Sequence, residues 1–277
     1  MDGSKLERLI IFYRKIGDIL RIMNEIKKLD ESRAANLRAL KARTEKIITI
    51  CAVLDDSTIV KEFSAEIDAY QQTLVQSEQS LVDEFGVRLE GLLQSRQVTL
   101  SGQYPNLRAG LFTIKMDVKN WQVTLWYGPE QERLEKCPLD AVTVANRISA
   151  QLDTLGAQLA PKQYMEILSN VYKKVRLEPS SDETVPIIQL LPEMALALQD
   201  KAFLKDPNKE NYIPYSRADF SFDLFKFKQC NQTDLPILVQ LTVAARAHTT
   251  DKSKYLWIPD DLKGNGSTYS HIRIREA

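Results

Sequence analysis

The sequence predicts an α+β fold in three parts, and three patterns carry that prediction. The first hundred residues space their apolar side chains as a coiled coil does, with no proline before Pro105. Two alternating stretches on either side of Lys119-Asn120 read as a β-hairpin. From Pro161 onward, three helical stripes give way to strand-like alternation. The parts are an N-terminal antiparallel coiled-coil or helical hairpin over 1–100, a small β-hairpin-plus-helix connector over 101–160, and a C-terminal domain over 161–277.

In the first part Leu6, Leu9, Tyr13, Ile16, Leu20 and Met23 step by 3, 4, 3, 4 and 3, the a/d seam of a heptad repeat. Leu37, Leu40, Thr44, Ile47, Cys51 and Leu54 repeat that spacing, in register with the first set. Lys27, Asp30 and Ala34 fill the seam between them, so it is weakest near Asp30. A helical segment is expected from about Lys5 to Leu54, roughly 75 Å long if continuous. Leu29-Asp30-Glu31-Ser32 marks the place for a bend or break. Asp55-Asp56-Ser57-Thr58 reads as a turn, because these residues favour caps over helix interiors. A second helix then runs to about Gln97, with Phe63, Ile67, Tyr70, Leu74, Ser77 and Leu81 as its stripe. Residues 1–46 carry a net charge of +5 and residues 47–100 a net of −6. Exposed ion pairs contribute only about 0.2–1 kcal/mol each, so charge would select the pairing while the seam stabilises it. The alternative is that these helices pack onto the globular part as an ordinary bundle.

The pattern changes at Ser101-Gly102-Gln103-Tyr104-Pro105-Asn106, a domain boundary. Phe112, Ile114, Met116 and Val118 alternate with polar neighbours, as do Trp121, Val123, Leu125 and Tyr127, and Gly128-Pro129 closes the second strand. Ala141, Val144, Ala145, Ile148, Leu152 and Leu155 form the next helical stripe, with Gly156 as its C′ residue. This connector is too small to bury a core alone and is expected to pack on a neighbouring part.

The C-terminal domain begins with Pro161 at the first helical position, followed by Tyr164, Ile167, Leu168, Val171 and Val175 on one face. A second helix is expected from Val185 to Leu198, after the loop Glu178-Pro179-Ser180-Ser181. Beyond a polar stretch from Lys205 to Pro214, Ser216 and Asp219 resemble a capping box ahead of Phe220, Leu224 and Phe227. Val239, Leu241, Val243 and Ala245 alternate as a strand, Thr249 to Ser253 turn, and Tyr255-Leu256-Trp257-Ile258 return. The loop at 263–267 leads to a last strand with Ile272 and Ile274 inward. Three helices, a strand, a wing-like turn and a strand over about 161–260 resemble a winged-helix domain. One departure stands out: 17 residues, Gln199 to Tyr215, separate its second and third helices. A DNA-reading helix-turn-helix joins them by about 3–4 residues.

Composition narrows the function classes. No run of 18 apolar residues exists, so no transmembrane helix is expected, and the charged N-terminal stretch lacks the features of a secretory signal. Cys51, Cys137 and Cys230 are odd in number and far apart, which suits a reducing cytoplasm rather than a disulfide framework or a metal site. Basic and acidic residues balance at 37 each, without the excess that announces nucleic-acid binding.

Chemistry-bearing motifs are sparse. His248 and His271 have no Cys or Glu at ligand spacing, and HExxH, CxxC and GxSxG are absent. Gly264-Asn265-Gly266-Ser267 precedes a strand rather than a helix, so it reads as a turn and not a phosphate cradle. Asp260-Asp261 with Asn265 lacks EF-hand spacing. Asp219 and Asp223, near Lys226 and Lys228, read as a solvated helix face. Arg246, Lys252, Lys254, Arg273 and Arg275, interleaved with Tyr255, Trp257 and Tyr269, form the surface best suited to DNA phosphates; the alternative is a solvated β-hairpin or protein contact whose aromatics belong to the core.

No catalytic residue, cofactor or metal is expected. The function expected first is a non-enzymatic cytoplasmic assembly subunit of a multi-protein complex. At fold level the arrangement suits an accessory factor of an SMC-type ATPase or a genome-defence complex. Its partner, another protein or a second copy, would bind the seam of Leu6, Leu9, Tyr13, Ile16, Leu20, Met23, Leu37, Leu40, Ile47 and Leu54. The alternatives are a regulator that dimerises by the coiled coil and holds duplex DNA at the wing, and an enzyme whose site carries no recognisable motif.

Overall fold

A computed structural model describes residues 3–54, 58–176, 183–229 and 237–276. The chain is mixed α+β, with its helical region first and its strands after residue 99. It divides into two compact units: Met1–Arg88 with Val118–Asn120, and Leu89–Asp117 with Trp121–Ala277. Residues 101–160 and 161–277, read above as connector and C-terminal domain, thus fall almost wholly in one unit. Among the described residues no helix is long and apolar enough to cross a membrane.

The helical unit contains α1 (Gly3–Asp30), α2 (Arg33–Cys51) and most of α3 (Thr58–Gln94). The segment expected from Lys5 to Leu54 is therefore two helices. Arg43 Nε reaches Glu25 Oε2 at 2.9 Å. Eighteen residues along one helix would span about 27 Å, so the chain reverses at Glu31-Ser32. The break is held by side chains. Asp30 accepts from Arg33 Nε at 2.7 Å and from Tyr70 OH at 2.9 Å. Asn36 Nδ2 donates to the carbonyl of Leu29 at 3.0 Å, taking up an orphan acceptor at the end of α1. The α2 stripe is the core of the unit, with Leu37, Leu40, Thr44, Ile47 and Cys51 all buried. Ile67 and Leu74 of α3 are buried too, and Lys41 pairs with Glu78. The turn expected at Asp55-Asp56-Ser57 lies outside the described residues.

The second unit opens with an antiparallel meander of β1 (Leu100–Gln103), β2 (Asn106–Ala109), β3 (Phe112–Asp117), β4 (Gln122–Tyr127) and β5 (Glu132–Pro138). The expected hairpin is β3–β4, with Phe112 opposite Tyr127, Ile114 opposite Leu125 and Met116 opposite Val123. Directly opposed residues share a face, and all six are buried. Next come α4 (Ala141–Thr154), α5 (Pro161–Val175), β6 (Val185–Pro186), α6 (Ile187–Ala197) and α7 (Lys201–Lys205). Asp140 caps α4 by accepting from Thr143 N at 2.8 Å. Pro161 opens α5 as expected, whereas the loop at 178–181 lies outside the described residues.

α8 (Arg217–Gln229), β7 (Ile237–Val243), β8 (Leu256–Pro259) and β9 (Gly266–Glu276) complete the unit. In this sheet β9 pairs with β6, β7 and β8. β7 and β8 both meet β9 at Tyr269, so they lie on its two sides and do not pair with each other. The Thr249 to Ser253 turn is therefore a crossing over β9, and the hairpin turn is the 260–265 loop between β8 and β9. Asp261 holds that turn by accepting from Lys263 N and Asn265 N. Ile272 and Ile274 face inward as expected. Trp257 of β8 fills a slot made by two glycines: a Cβ on Gly128 or Gly266 would come within 2.6 Å of its ring.

Candidate interaction surfaces

α1 has more apolar residues than one stripe can hold. Its buried side chains are Ile19, Ile22 and Ile26, each one residue before a seam position and so about 100° around the helix from the a/d seam. Of that seam, Ile16 and Met23 are half-buried, while Leu6, Leu9, Tyr13 and Leu20 are exposed, Tyr13 at 67% and Leu20 at 60%. Two heptad patterns compete here: Phe12, Ile19, Ile22 and Ile26 also keep a/d spacing, interrupted only by Lys15. The chain uses this second pattern against α2. Leu9-Ile10-Ile11-Phe12-Tyr13 is apolar on every side of the helix, and four of the five are exposed. On α2 the seam residues Leu37, Leu40 and Ile47 lie in the unit's own core, and Leu54 is half-buried.

The five basic residues of the expected wing fall in two groups. Arg273 and Arg275 share one face of β9 and both donate to Glu183 Oε2, Arg275 at 3.1 Å. The two guanidiniums, Arg273 foremost, hold the Glu183 carboxyl below its ordinary range. In the crossing between β7 and β8, Lys252 Nζ donates to the carbonyl of Glu130 at 2.6 Å and sits 5.2 Å over the Trp126 ring. Lys254 pairs with Asp251 at 3.4 Å, and Arg246 lies exposed in a short 3-10 turn. Trp257 is 4% exposed, and Tyr269 lies beneath Lys228 Nζ at 5.3 Å. His271 Nδ1 lies 2.9 Å from Ser270 Oγ.

The α8 carboxylates do not form a solvated face, because α8 is buried along most of its length. Asp223 Oδ2 accepts from Ala157 N at 2.8 Å and Tyr215 OH at 2.9 Å. Asp219 Oδ1 accepts from Gly156 N, and its Oδ2 from Ser216 N, both at 2.8 Å. Ser216 Oγ in turn accepts from Asp219 N at 3.3 Å, completing the expected capping box. Burial raises the pKa of Asp223 and keeps the buried hydroxyls of Tyr164 and Tyr215 far above their ordinary range. The network ties the loop after α4 to α8. Among the described residues no three His, Cys, Asp or Glu side chains gather as a metal site. Comparison with protein-family models, curated proteins and solved structures finds no match.

Proposed function

We propose that this chain is a non-enzymatic assembly subunit that binds a partner helix along the free face of α1. The observation behind this reading is the exposed stripe of Leu6, Leu9, Ile10, Tyr13 and Leu20, on a helix that already buries another face. Covering each such side chain is worth about 1.5–3 kcal/mol, and contiguous apolar patches of this kind mark interaction sites. Gly17, between Tyr13 and Leu20 on that face, has open space where its Cβ would stand, so a partner can approach closely. The neighbouring e positions, Ile10, Gly17 and Asn24, carry no charge to repel one.

Duplex DNA at the basic face is the second reading. It is less well supported, because Glu183 engages Arg273 and Arg275 together and Trp257 is core. The test of the first reading is the pair Leu9→Asp and Leu20→Asp. Both positions are exposed, so helicity should be unchanged, while proteins that co-purify with the wild type from its native host should be lost. Partners retained by a folded double variant would refute it. Wild-type binding to duplex DNA with a steep salt dependence would favour the second reading instead.

A further inference from the structure

Sheet edges expose unpaired backbone N–H and C=O groups, and proteins guard them with short length, charge, proline or glycine. Four edge strands here are guarded in those ways. β1 has four residues and contains Gly102; β5 carries Glu132, Arg133, Glu135 and Lys136 and ends at Pro138. β6 has two residues, one of them Pro186, and β8 is short, buried and ends at Pro259. β7 is different. It runs seven residues as Ile-Leu-Val-Gln-Leu-Thr-Val, without charge, glycine or proline. Its register with β9 is regular from Ile237 to Thr242. Among the described residues no strand pairs with its other side. Leu238, Gln240, Thr242 and Val243 are exposed, Val243 at 64%.

We propose that β7 pairs antiparallel with β7 of a second copy of this chain, about a two-fold axis through Gln240, joining two four-stranded sheets into one. The strand's own sequence supports a copy over an unrelated peptide, because it is nearly palindromic about its centre. Gln240 opposes Gln240 of the other copy, Val239 opposes Leu241, Leu238 opposes Thr242, and Ile237 opposes Val243. Every opposed pair is apolar with apolar, amide with amide, or leucine with the methyl-bearing threonine. Antiparallel pairing keeps each residue on the face it already occupies, so Val239 and Leu241 extend the inner side and Gln240 the outer side. An isologous contact of this kind closes on itself and leaves no β7 edge free, so the joined sheet ends on the guarded β6 and β8 strands. The surrounding charge does not oppose it. The two β9 strands would lie about 14 Å apart, beyond the Debye length at physiological salt, and each arginine pair already holds Glu183. This inference does not depend on the α1 reading.

Cross-linking of the full chain tests the register directly. In a Cys230→Ser background, Gln240→Cys should form a disulfide-linked dimer under mild oxidation, since directly opposed Cα atoms lie about 4.5–5.5 Å apart. Thr242→Cys should not, because its own counterpart would be four residues out of register, about 13 Å away. Sedimentation should show the wild type as a dimer, and Gln240→Lys, which opposes two like charges, should weaken it by about tenfold or more. Three results would each overturn the proposal: a wild type that is monomeric at high micromolar concentration, equal cross-linking of the two cysteine variants, or a dimer that survives Gln240→Lys with its affinity unchanged. If the surviving dimer is dissociated by Leu9→Asp with Leu20→Asp, it belongs to α1.

Discussion

Asp223 accepts from two donors, the amide of Ala157 and the hydroxyl of Tyr215. Truncation to alanine removes the acceptor of both and should cost about 2–4 kcal/mol in chemical denaturation. Asparagine keeps a carbonyl oxygen for both and removes a buried charge, so Asp223→Asn should remain close to the wild type at neutral pH. The two also differ in their response to acid. Burial raises the folded pKa of Asp223 above 3.8, so the folded chain holds its proton more tightly than the unfolded chain. Its contribution therefore falls as pH rises from 3.8 through the folded value, and Asp223→Asn should lack that fall. An unchanged pH profile would mean that Asp223 is not desolvated. The sequence shows two acids one turn apart, and that spacing alone suggests a solvated face. A better signal was present: Phe220, Phe222, Leu224, Phe225 and Phe227 surround the helix on all sides, as befits one buried all round. The Gly156 turn was legible as a C′ residue, but its partners, 63 and 66 residues away, were not.

At the scale of elements, periodicity identified the α2 stripe, α4, α5 and the β3–β4 hairpin, because each buries one face or one alternating set. It failed where that condition fails. β1 falls on the stretch that reads as a domain boundary, and no alternation marks β5, since an edge strand need bury little. On α1, periodicity offered two stripes, and only packing against α2 shows which is internal. The Asp30–Arg33–Tyr70 cluster at the reversal makes a prediction for the helical unit. Arg33, aided by Tyr70, lowers the Asp30 pKa below 3.8; this stabilisation is present above that value and lost as pH falls through the lower folded value. Desolvation, with the Asp30 hydrogen bond, pushes the Tyr70 hydroxyl up to about 12, so its contribution is present below 10.0 and lost as pH rises toward about 12. Helical signal followed across pH should show losses in both windows, and Tyr70→Phe should remove the alkaline one. A variant that still shows the alkaline loss would assign it to another group.

For the whole molecule, division into two units implies two sets of opening events. Leu40 is fully buried in α2, and Leu40→Ala should cost about 2–5 kcal/mol. Hydrogen exchange should then accelerate in α1 and α2 while the β3–β4 amides keep their protection. Equal acceleration in both would show that the chain unfolds as one. The two sheets also differ in when they can form. The meander closes hairpin by hairpin, each strand meeting its partner within a few residues of its synthesis. In the other sheet, among the described residues, β6, β7 and β8 pair only with β9, so none has its partner until residues 266–276 leave the ribosome. Val185 must wait for Ile272, which at ordinary translation speed is roughly 4–17 s. During part of that interval the uncharged β7 segment is a bare strand on a nascent chain. The last strand made thus determines when the sheet becomes safe from misassociation, and a ribosome stalled before Gly266 would present three unpaired strands to the cell's chaperones.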